Sequence, residues 1–270
     1  MGDQELRANQ ERVWDSIATL CTPFTEREWK TPTDCPGWSV QDQIAHIIGT
    51  ESWLLGQSVP DHTPKDMGHV KNELGQWIEP WVDWRRSWPG AKILEEFLTV
   101  TGKRRRVLHT MSAEEFTREF QTPIGSHTMR SFLPIRIFDN WVHEQDIRRA
   151  VGRPGHYEGP VSEHSIAYVA RAMPFVVGRK ARAADGTTVV FEVTGVAGRT
   201  LAIGMEGERA KPLNQPPALP TVHLTMDVET FACLGCGRWE PRHVLASGKV
   251  RIEGDRALAE TIVTQMNFMP

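Results

Sequence analysis

The sequence predicts a two-domain α+β protein, in which a four-helix bundle is followed by a small α+β domain with an antiparallel sheet. Apolar residues recur at helical spacing through roughly the first 150 residues, and runs of β-branched residues begin only after them. The length of 270 residues exceeds the usual size of one domain. We therefore expect a first domain over residues 1–155 and a second over residues 156–270.

The bundle is predicted from four segments with helical periodicity. In chain order they are residues 4–20, 39–55, 80–110 and 134–151. Ser39 and Asp42 form a capping-box arrangement at the start of the second segment, and Pro134 suits the first turn of the fourth. A Pro-Gly pair at 89–90 is able to break the third segment. Four helices whose apolar faces meet form a bundle.

The second domain is predicted from a helix at its start and from short β-rich runs bounded by Gly or Pro. The predicted strands are residues 187–193, 200–204, 221–226 and 248–254. A short helix in "VETFACLG" and a terminal helix that begins after Asp255 complete the set. Strands that follow one another in this way favour a small antiparallel sheet.

Composition and charge exclude several classes of protein. The formal net charge is −3 at pH 7, which argues against binding to nucleic acid or to an anionic membrane surface. No stretch has the roughly 18 consecutive apolar residues that a membrane span needs. Four cysteines in a chain of this length do not make a disulfide scaffold. We expect a cytoplasmic protein; its oligomeric state does not follow from the sequence.

The segment "FDNWVHEQDIRRA" places three polar side chains on one side of the fourth predicted helix. At 100° per residue, His143 and Asp146 lie within about 40° of Asp139. Apolar residues flank that side, so it faces packing rather than water. By itself the pattern favours a hydrogen-bonded pair of Asp139 and His143 over a metal site.

His46 in the second predicted helix shifts that balance. A single histidine near an apolar face is more often a satisfied core residue than a ligand. Together, however, His46, Asp139 and His143 give two imidazoles and one carboxylate from two helices, a known way to build a metal site in a bundle. Three protein ligands leave a position open, as in catalytic zinc sites, although non-haem iron takes the same ligand types.

Other catalytic motifs are absent from the sequence. "HEQDI" lacks the second histidine of HExxH, because Ile147 stands there. The chain has neither a GxSxG nucleophile motif nor a phosphate-binding P-loop. The metal site is therefore the leading candidate for chemistry.

Two stretches, "TPTDCPGWSVQDQIAHIIGTE" and "RIFDNWVHEQDIRRAVGRP", resemble the mycothiol-dependent maleylpyruvate isomerase family. The late segment from "DVETFACLGCGRW" to "GKVRIEGDRALAETIV" is similar to the smaller C-terminal domain of that family. The resemblance covers nearly the whole chain. It implies a DinB-like metal-binding bundle followed by a sterol-carrier-like α+β domain.

The resemblance also implies roles for particular residues. A divalent metal, usually zinc, is expected on His46, Asp139 and His143. The family pattern has glutamate where this chain has Asp139, so the shorter carboxylate must bring its backbone closer to the metal or bind it less symmetrically. Asp146 matches a recurrent acidic position and is assigned to the ligands' surroundings or to helix packing. Arg238 matches an arginine that reaches the active site; from sequence alone it is a surface arginine.

These roles imply a thiol-dependent transferase or isomerase. Mycothiol, as the thiol cosubstrate, would become a thiolate at the metal and attack a small electrophile, whose carboxylate Arg238 would bind. A metal-dependent hydrolase on the same bundle is an alternative, and turnover without thiol would select it. A non-catalytic protein that binds a lipid or another small molecule is the third reading, and the absence of bound metal would favour it.

Overall fold

The computed structural model describes residues 1–269 and divides into two compact units. The first unit is Met1–His156, and the second begins at Tyr157. The first is helical apart from one small hairpin, and the second combines helices with a five-stranded sheet. The predicted α+β fold class is confirmed.

The first unit contains seven helices and a hairpin within residues 1–156. The helices are α1 (Asp3–Cys21), α2 (Glu26–Trp29), α3 (Val40–Leu54), α4 (Glu73–Asp83), α5 (Gly90–Thr110), α6 (Ala113–Thr117) and α7 (Met129–Ala150). The strands β1 (Glu119–Thr122) and β2 (Gly125–Thr128) form an antiparallel hairpin that the sequence did not predict. The hairpin is short and largely exposed, so no apolar alternation marks it.

The four long helices form the predicted bundle. Helix α1 packs against α5 and α7, and α3 packs against the same two helices, which closes a ring of four. Val13, Ile44, Phe97 and Ile137, one from each helix, have no exposed surface. Burial of these apolar faces is the main source of helix stability in such a bundle.

Two predicted helix boundaries differ from the structure. The fourth helix begins at Met129, not near Pro134, because Thr128 and Ser131 form a capping box one turn earlier. Pro134 is then accommodated inside α7. The third predicted segment is two helices, and α5 begins at the Pro-Gly pair at 89–90, where the sequence allowed a break. Helix α4, however, begins at Glu73 rather than at Pro80. The box of Ser39 and Asp42 begins α3 as predicted.

The second unit builds its sheet on one central pair of strands. Its helices are α8 (Gly159–Phe175), extended by a π-helical turn over Val176–Lys180, α9 (Val228–Gly235), α10 (Pro241–Ala246) and α11 (Arg256–Thr264). Its strands are β3 (Thr188–Thr194), β4 (Arg199–Glu206), β5 (Arg209–Pro212), β6 (Val222–Asp227) and β7 (Arg251–Gly254), in the sheet order β5-β4-β3-β6-β7.

The sheet is antiparallel in three of its four pairings. The exception is the central pair, in which β3 and β6 run parallel. The segment between β5 and β6, residues 213–221, contains three prolines and returns the chain to the other side of β3. Such a connection cannot be told from a hairpin by strand patterns alone, because both leave the strands with the same alternation.

Two further sequence expectations concern membranes and cysteines. Among residues 1–269, none of the helices combines the length and apolar character that crossing a bilayer requires. Cys21, Cys35, Cys233 and Cys236 form no disulfide in the same part of the chain.

Candidate metal centre

The structure brings His46, Asp139 and His143 together between two bundle helices. His46 Nε2 lies 3.2 Å from Asp139 Oδ2, and His143 Nε2 lies 3.4 Å from Asp139 Oδ1. The two imidazole centroids are 4.6 Å apart, and the candidate ligand atoms all lie within 4.8 Å of one another. This is the one group of at least three such side chains that meets these limits within residues 1–269.

The helices explain why these side chains meet. His46 lies in the middle of α3, and Asp139 and His143 are one turn apart on α7. Since α3 packs directly against α7, the imidazole of one helix faces the pair on the other. The site is thus held by two packed helices rather than by a loop.

The donor set fits a tetrahedral divalent metal. With metal–ligand bonds of about 2.0–2.2 Å, two ligand atoms of a tetrahedral zinc site lie about 3.4 Å apart. The two Nε2 atoms lie 3.2 Å and 3.4 Å from the nearest Asp139 oxygen, which is a different oxygen for each imidazole, and these two separations are close to that spacing. One carboxylate and two imidazoles also suit zinc and other divalent metals that prefer nitrogen and oxygen.

The other ring nitrogen of His143 faces oxygen atoms. His143 Nδ1 is hydrogen-bonded to Gln43 Oε1, and Asp146 Oδ2 lies 3.7 Å from the same nitrogen. Asp146 is buried and accepts a hydrogen bond from Arg149 Nη2 at 2.5 Å. Asp146 therefore belongs to the surroundings of His143, on the side away from the other two candidate ligands.

Arg136 neutralises much of the charge of Asp139. Its Nη1 donates to Asp139 Oδ2 at 2.7 Å. Burial raises the pKa of Asp139, but the Arg136 guanidinium and the imidazoles of His143 and His46 lower it by more. The pKa therefore lies well below its ordinary value, and the carboxylate is ionised and ready to bind a cation at neutral pH.

Arg136 is itself held by a buried ion-pair network in the bundle core. Its Nε donates to Glu51 Oε1 at 3.2 Å, and its Nη2 donates to Asn140 Oδ1 at 3.1 Å. Arg104 Nε donates to the second oxygen of Glu51 at 3.0 Å. The side chains of Glu51 and Arg104 are each only 1% exposed, so removal of either one would leave the other as an unpaired buried charge.

His46 differs from His143 in its surroundings. Its Nδ1 is buried and has no hydrogen-bond partner among the described residues. Burial lowers the pKa of His46 to about 4, although Asp139 acts in the opposite direction. The imidazole is therefore neutral at physiological pH, which is the form that binds metals.

Trp38 covers both imidazoles. Its ring centroid lies 5.4 Å from that of His46 and 5.8 Å from that of His143, with tilts of 37° and 33°. Trp38 Nε1 donates to the buried Glu79 Oε2 at 3.1 Å, which fixes the indole in place. Asp139 is the most exposed of the three candidate ligands, at 19% of its side chain.

Arg238 belongs to the second unit, where a helix end fixes its backbone. Helix α9 ends in a Schellman motif, with the Arg238 N–H donating to Cys233 O at 2.8 Å and the Gly237 N–H to Leu234 O at 3.2 Å. Gly237 has a φ of 66°, and a Cβ there would lie 2.6 Å from the Asn267 side chain. The motif therefore requires glycine before Arg238. The guanidinium is half-buried and donates to Cys236 O at 3.2 Å.

Sequence reasoning missed several residues around the candidate ligands. Gln43 and Arg136 each lie three residues before a candidate ligand on the same helix, so the i, i+3 spacing would have found them. Trp38 precedes α3, and no periodicity indicates that its ring turns back onto His46.

Comparison with known families agrees with this architecture. The sequence profile of the mycothiol maleylpyruvate isomerase N-terminal domain matches residues 11–148. The profile of the SCP-2 sterol transfer family matches residues 176–266. No curated protein sequence matches the chain.

Two solved structures share the fold over nearly the whole chain. They are crystal structures of the mycothiol-dependent maleylpyruvate isomerase and of a variant of it with histidine replaced by alanine. Each is 11% identical to this chain. The match covers 94% of this chain and 93% of the solved chain, with a TM-score of 0.58. At this identity the likeness establishes the fold alone.

Proposed function

The chain belongs to the mycothiol maleylpyruvate isomerase N-terminal domain family, and on this premise we propose that it is a metal-dependent enzyme that uses a low-molecular-weight thiol. The proposed reaction is a transfer or an isomerisation in which the thiolate attacks a small electrophile that carries a carboxylate. Mycothiol is the proposed thiol, since the family name and both solved structures refer to it. The observation that carries the proposal is the cluster of His46, Asp139 and His143, whose candidate ligand atoms all lie within 4.8 Å of one another.

The metal is proposed to be divalent, with zinc as the first candidate. A bound divalent metal lowers the pKa of a thiol, so that the thiolate is available at neutral pH. On the protein side, His46 and His143 would each offer Nε2, and Asp139 would offer a carboxylate oxygen. The Trp38 ring would exclude water from one side of the imidazoles.

Arg238 is proposed to bind the carboxylate of the acceptor. An arginine fork forms two parallel hydrogen bonds to a carboxylate, which fixes its orientation as well as its position. The Schellman motif at Gly237 and Arg238 supports this role because it sets the backbone from which the side chain extends.

Asp146 is proposed to support His143 rather than to bind the metal.

The group that leaves the acceptor decides whether the reaction is an isomerisation or a transfer. A thiolate that adds to an activated double bond permits rotation about the resulting single bond, and loss of the same thiolate returns an isomer. If another group leaves instead, the product keeps the sulfur.

The proposed location is the cytoplasm, and four cysteines without a disulfide in residues 1–269 support a reducing compartment.

The proposal is tested by following free mycothiol and acceptor together, with maleylpyruvate and other electrophilic carboxylates as candidates. We expect turnover that needs both metal and thiol and that is lost in Asp139→Ala. Turnover of an ester or amide by the metal-loaded protein without thiol would replace the proposal with a hydrolase. A metal-free native protein without thiol-dependent turnover would favour a binding protein.

A further inference from the structure

Gln43 lies between the candidate ligand His143 and the loop before α3. It has no exposed surface. Its side-chain nitrogen is 2.7 Å from Thr33 Oγ1, and its side-chain oxygen is hydrogen-bonded to His143 Nδ1. The amide therefore links Thr33 to His143, and the orientation of the amide decides which atom each neighbour meets.

Thr33 fixes that orientation because a hydroxyl has one proton. Thr33 Oγ1 donates this proton to Trp38 O at 2.8 Å. It accepts from the Cys35 backbone N–H at 3.2 Å and has one further lone pair. Gln43 must then present its NH₂ group to Thr33, because an amide oxygen in that place would meet a lone pair instead of a proton.

The opposite end of the amide is an oxygen, so His143 must donate to it. When the imidazole carries a single proton, that proton therefore sits on Nδ1, where the Asp146 carboxylate, with Oδ2 at 3.7 Å, also favours it. Nε2 then has no proton, and its lone pair faces Asp139 Oδ1 at 3.4 Å. Two acceptors that face each other in this way are satisfied by a cation between them.

We propose that Thr33 and Gln43 are positioning residues that hold His143 in the Nδ1–H tautomer and so keep Nε2 ready for a metal. This inference rests on the proposed function in one respect, that Nε2 of His143 binds a metal. It goes beyond that function by assigning a role to a threonine and a glutamine that touch no substrate. Hydrogen bonds of this kind to a ligating histidine contribute roughly 10–100-fold to metal affinity.

His46 is the internal contrast. Its Nδ1 has no partner among residues 1–269, whereas its Nε2 lies 3.2 Å from Asp139 Oδ2. Nothing in its surroundings selects the Nδ1–H tautomer of His46. Hydrogen bonds at Nδ1 therefore select the tautomer of His143 but not that of His46. The variants described below act on His143 alone.

The tautomer is measured directly in the metal-free protein at pH 8. Long-range ¹H–¹⁵N spectra of histidine-labelled protein report which ring nitrogen of His143 carries the proton. We expect Nδ1–H in the wild type. We expect a mixture of tautomers in Gln43→Met, which keeps the volume and removes the acceptor, and in Thr33→Val, which removes the hydroxyl.

Zinc affinity, from competition with a chromophoric chelator, is the second readout. We expect a loss of about 10–100-fold for Gln43→Met and a smaller loss for Thr33→Val. Thr33→Ser keeps the hydroxyl, so it should retain the tautomer and an affinity within about threefold of wild type. Gln10→Met is the matched control, since Gln10 is equally buried in α1 and has no hydrogen-bond partner in the described chain.

The two readouts separate the inference from the proposed function. A wild-type His143 with its proton on Nε2, or a tautomer unchanged in Gln43→Met, overturns the inference whether or not zinc binds. A wild type that shows the Nδ1–H tautomer but binds no zinc overturns the proposed function and leaves the tautomer assignment standing. An affinity loss in Gln10→Met equal to that in Gln43→Met would show that core packing, not the hydrogen bond, is responsible.

Discussion

Arg136 Nη1 donates to Asp139 Oδ2 at 2.7 Å, and the two residues are one helical turn apart on α7. The guanidinium keeps Asp139 ionised, yet it also occupies one lone pair of the carboxylate that is proposed to bind the metal. Glu51 and Asn140 hold Arg136 from its other side. The Asp139 carboxylate is therefore fixed before any metal arrives, which lowers the entropic cost of binding.

Replacement of Arg136 by glutamine should destabilise the metal-free protein strongly. The variant leaves the buried Glu51 with one arginine and Asp139 without its main cationic partner, so we expect a loss of about 3–5 kcal/mol in the free energy of unfolding. Urea denaturation measures it. Arg130→Gln is the control, because Arg130 pairs with Asp3 at the same 2.7 Å but its side chain is 52% exposed. That variant should cost less than about 1 kcal/mol, and equal losses would contradict the account.

Acid should destabilise the metal-free protein through His46. Burial lowers the pKa of His46 to about 4 in the folded state, whereas an unfolded histidine titrates near 6.5. The unfolded chain therefore binds a proton first, and the stability present above pH 6.5 is lost as the pH falls towards 4. The loss amounts to about 3 kcal/mol.

The pH dependence is measured by urea denaturation between pH 7.5 and 4. His46→Gln should show a shallower loss of stability over this range than wild type. His109→Gln, at a histidine that is 62% exposed, should follow the wild-type curve. If His46→Gln also follows the wild-type curve, His46 is not the group that titrates.

Arg238 should affect acceptor binding rather than metal binding. Loss of a charge-assisted hydrogen bond of about 1.5–3 kcal/mol corresponds to a fall of roughly 10–100-fold in kcat/KM. We expect this fall for Arg238→Lys with a carboxylate-bearing acceptor, while zinc content stays unchanged. Arg242→Lys, at an exposed arginine in the neighbouring helix α10, is the control and should leave kcat/KM unchanged.

The sequence predicted the bundle and the members of the cluster because both follow from helical periodicity. His46 and the pair on α7 lie on faces that four packed helices turn inwards, so their approach is a consequence of the fold. The capping box at Ser39 and Asp42 likewise depends on spacing alone. These features are local in the chain or repeat with a fixed period.

The features that the sequence did not predict depend on contacts between distant segments. The orientation of the Gln43 amide follows from Thr33 in the preceding loop and from His143, 100 residues away. The parallel pairing of β3 and β6 depends on the route of residues 213–221. The position of Trp38 over the imidazoles depends on Glu79 in another helix. None of these leaves a periodic trace.

Zinc should stabilise the folded protein by an amount that grows with the logarithm of the free zinc concentration once the site is filled. At free zinc of 100 times the dissociation constant, a single site adds about 2.7 kcal/mol to the free energy of unfolding. We expect this gain, seen as a rise in Tm, in the wild type and not in His143→Ala. His164→Ala, at a buried histidine of α8 in the second unit, is the control that should keep the zinc-dependent gain.

The most direct test of the central claim is the metal content of the purified protein, measured by inductively coupled plasma mass spectrometry. The wild type and the variants His46→Ala, Asp139→Ala and His143→Ala are loaded with zinc and freed of excess by gel filtration. We predict one equivalent of zinc in the wild type and far less in each variant, because a catalytic zinc site is built from three protein ligands and each variant keeps only two of them. A wild type without stoichiometric metal, or variants that retain it equally well, would contradict the account.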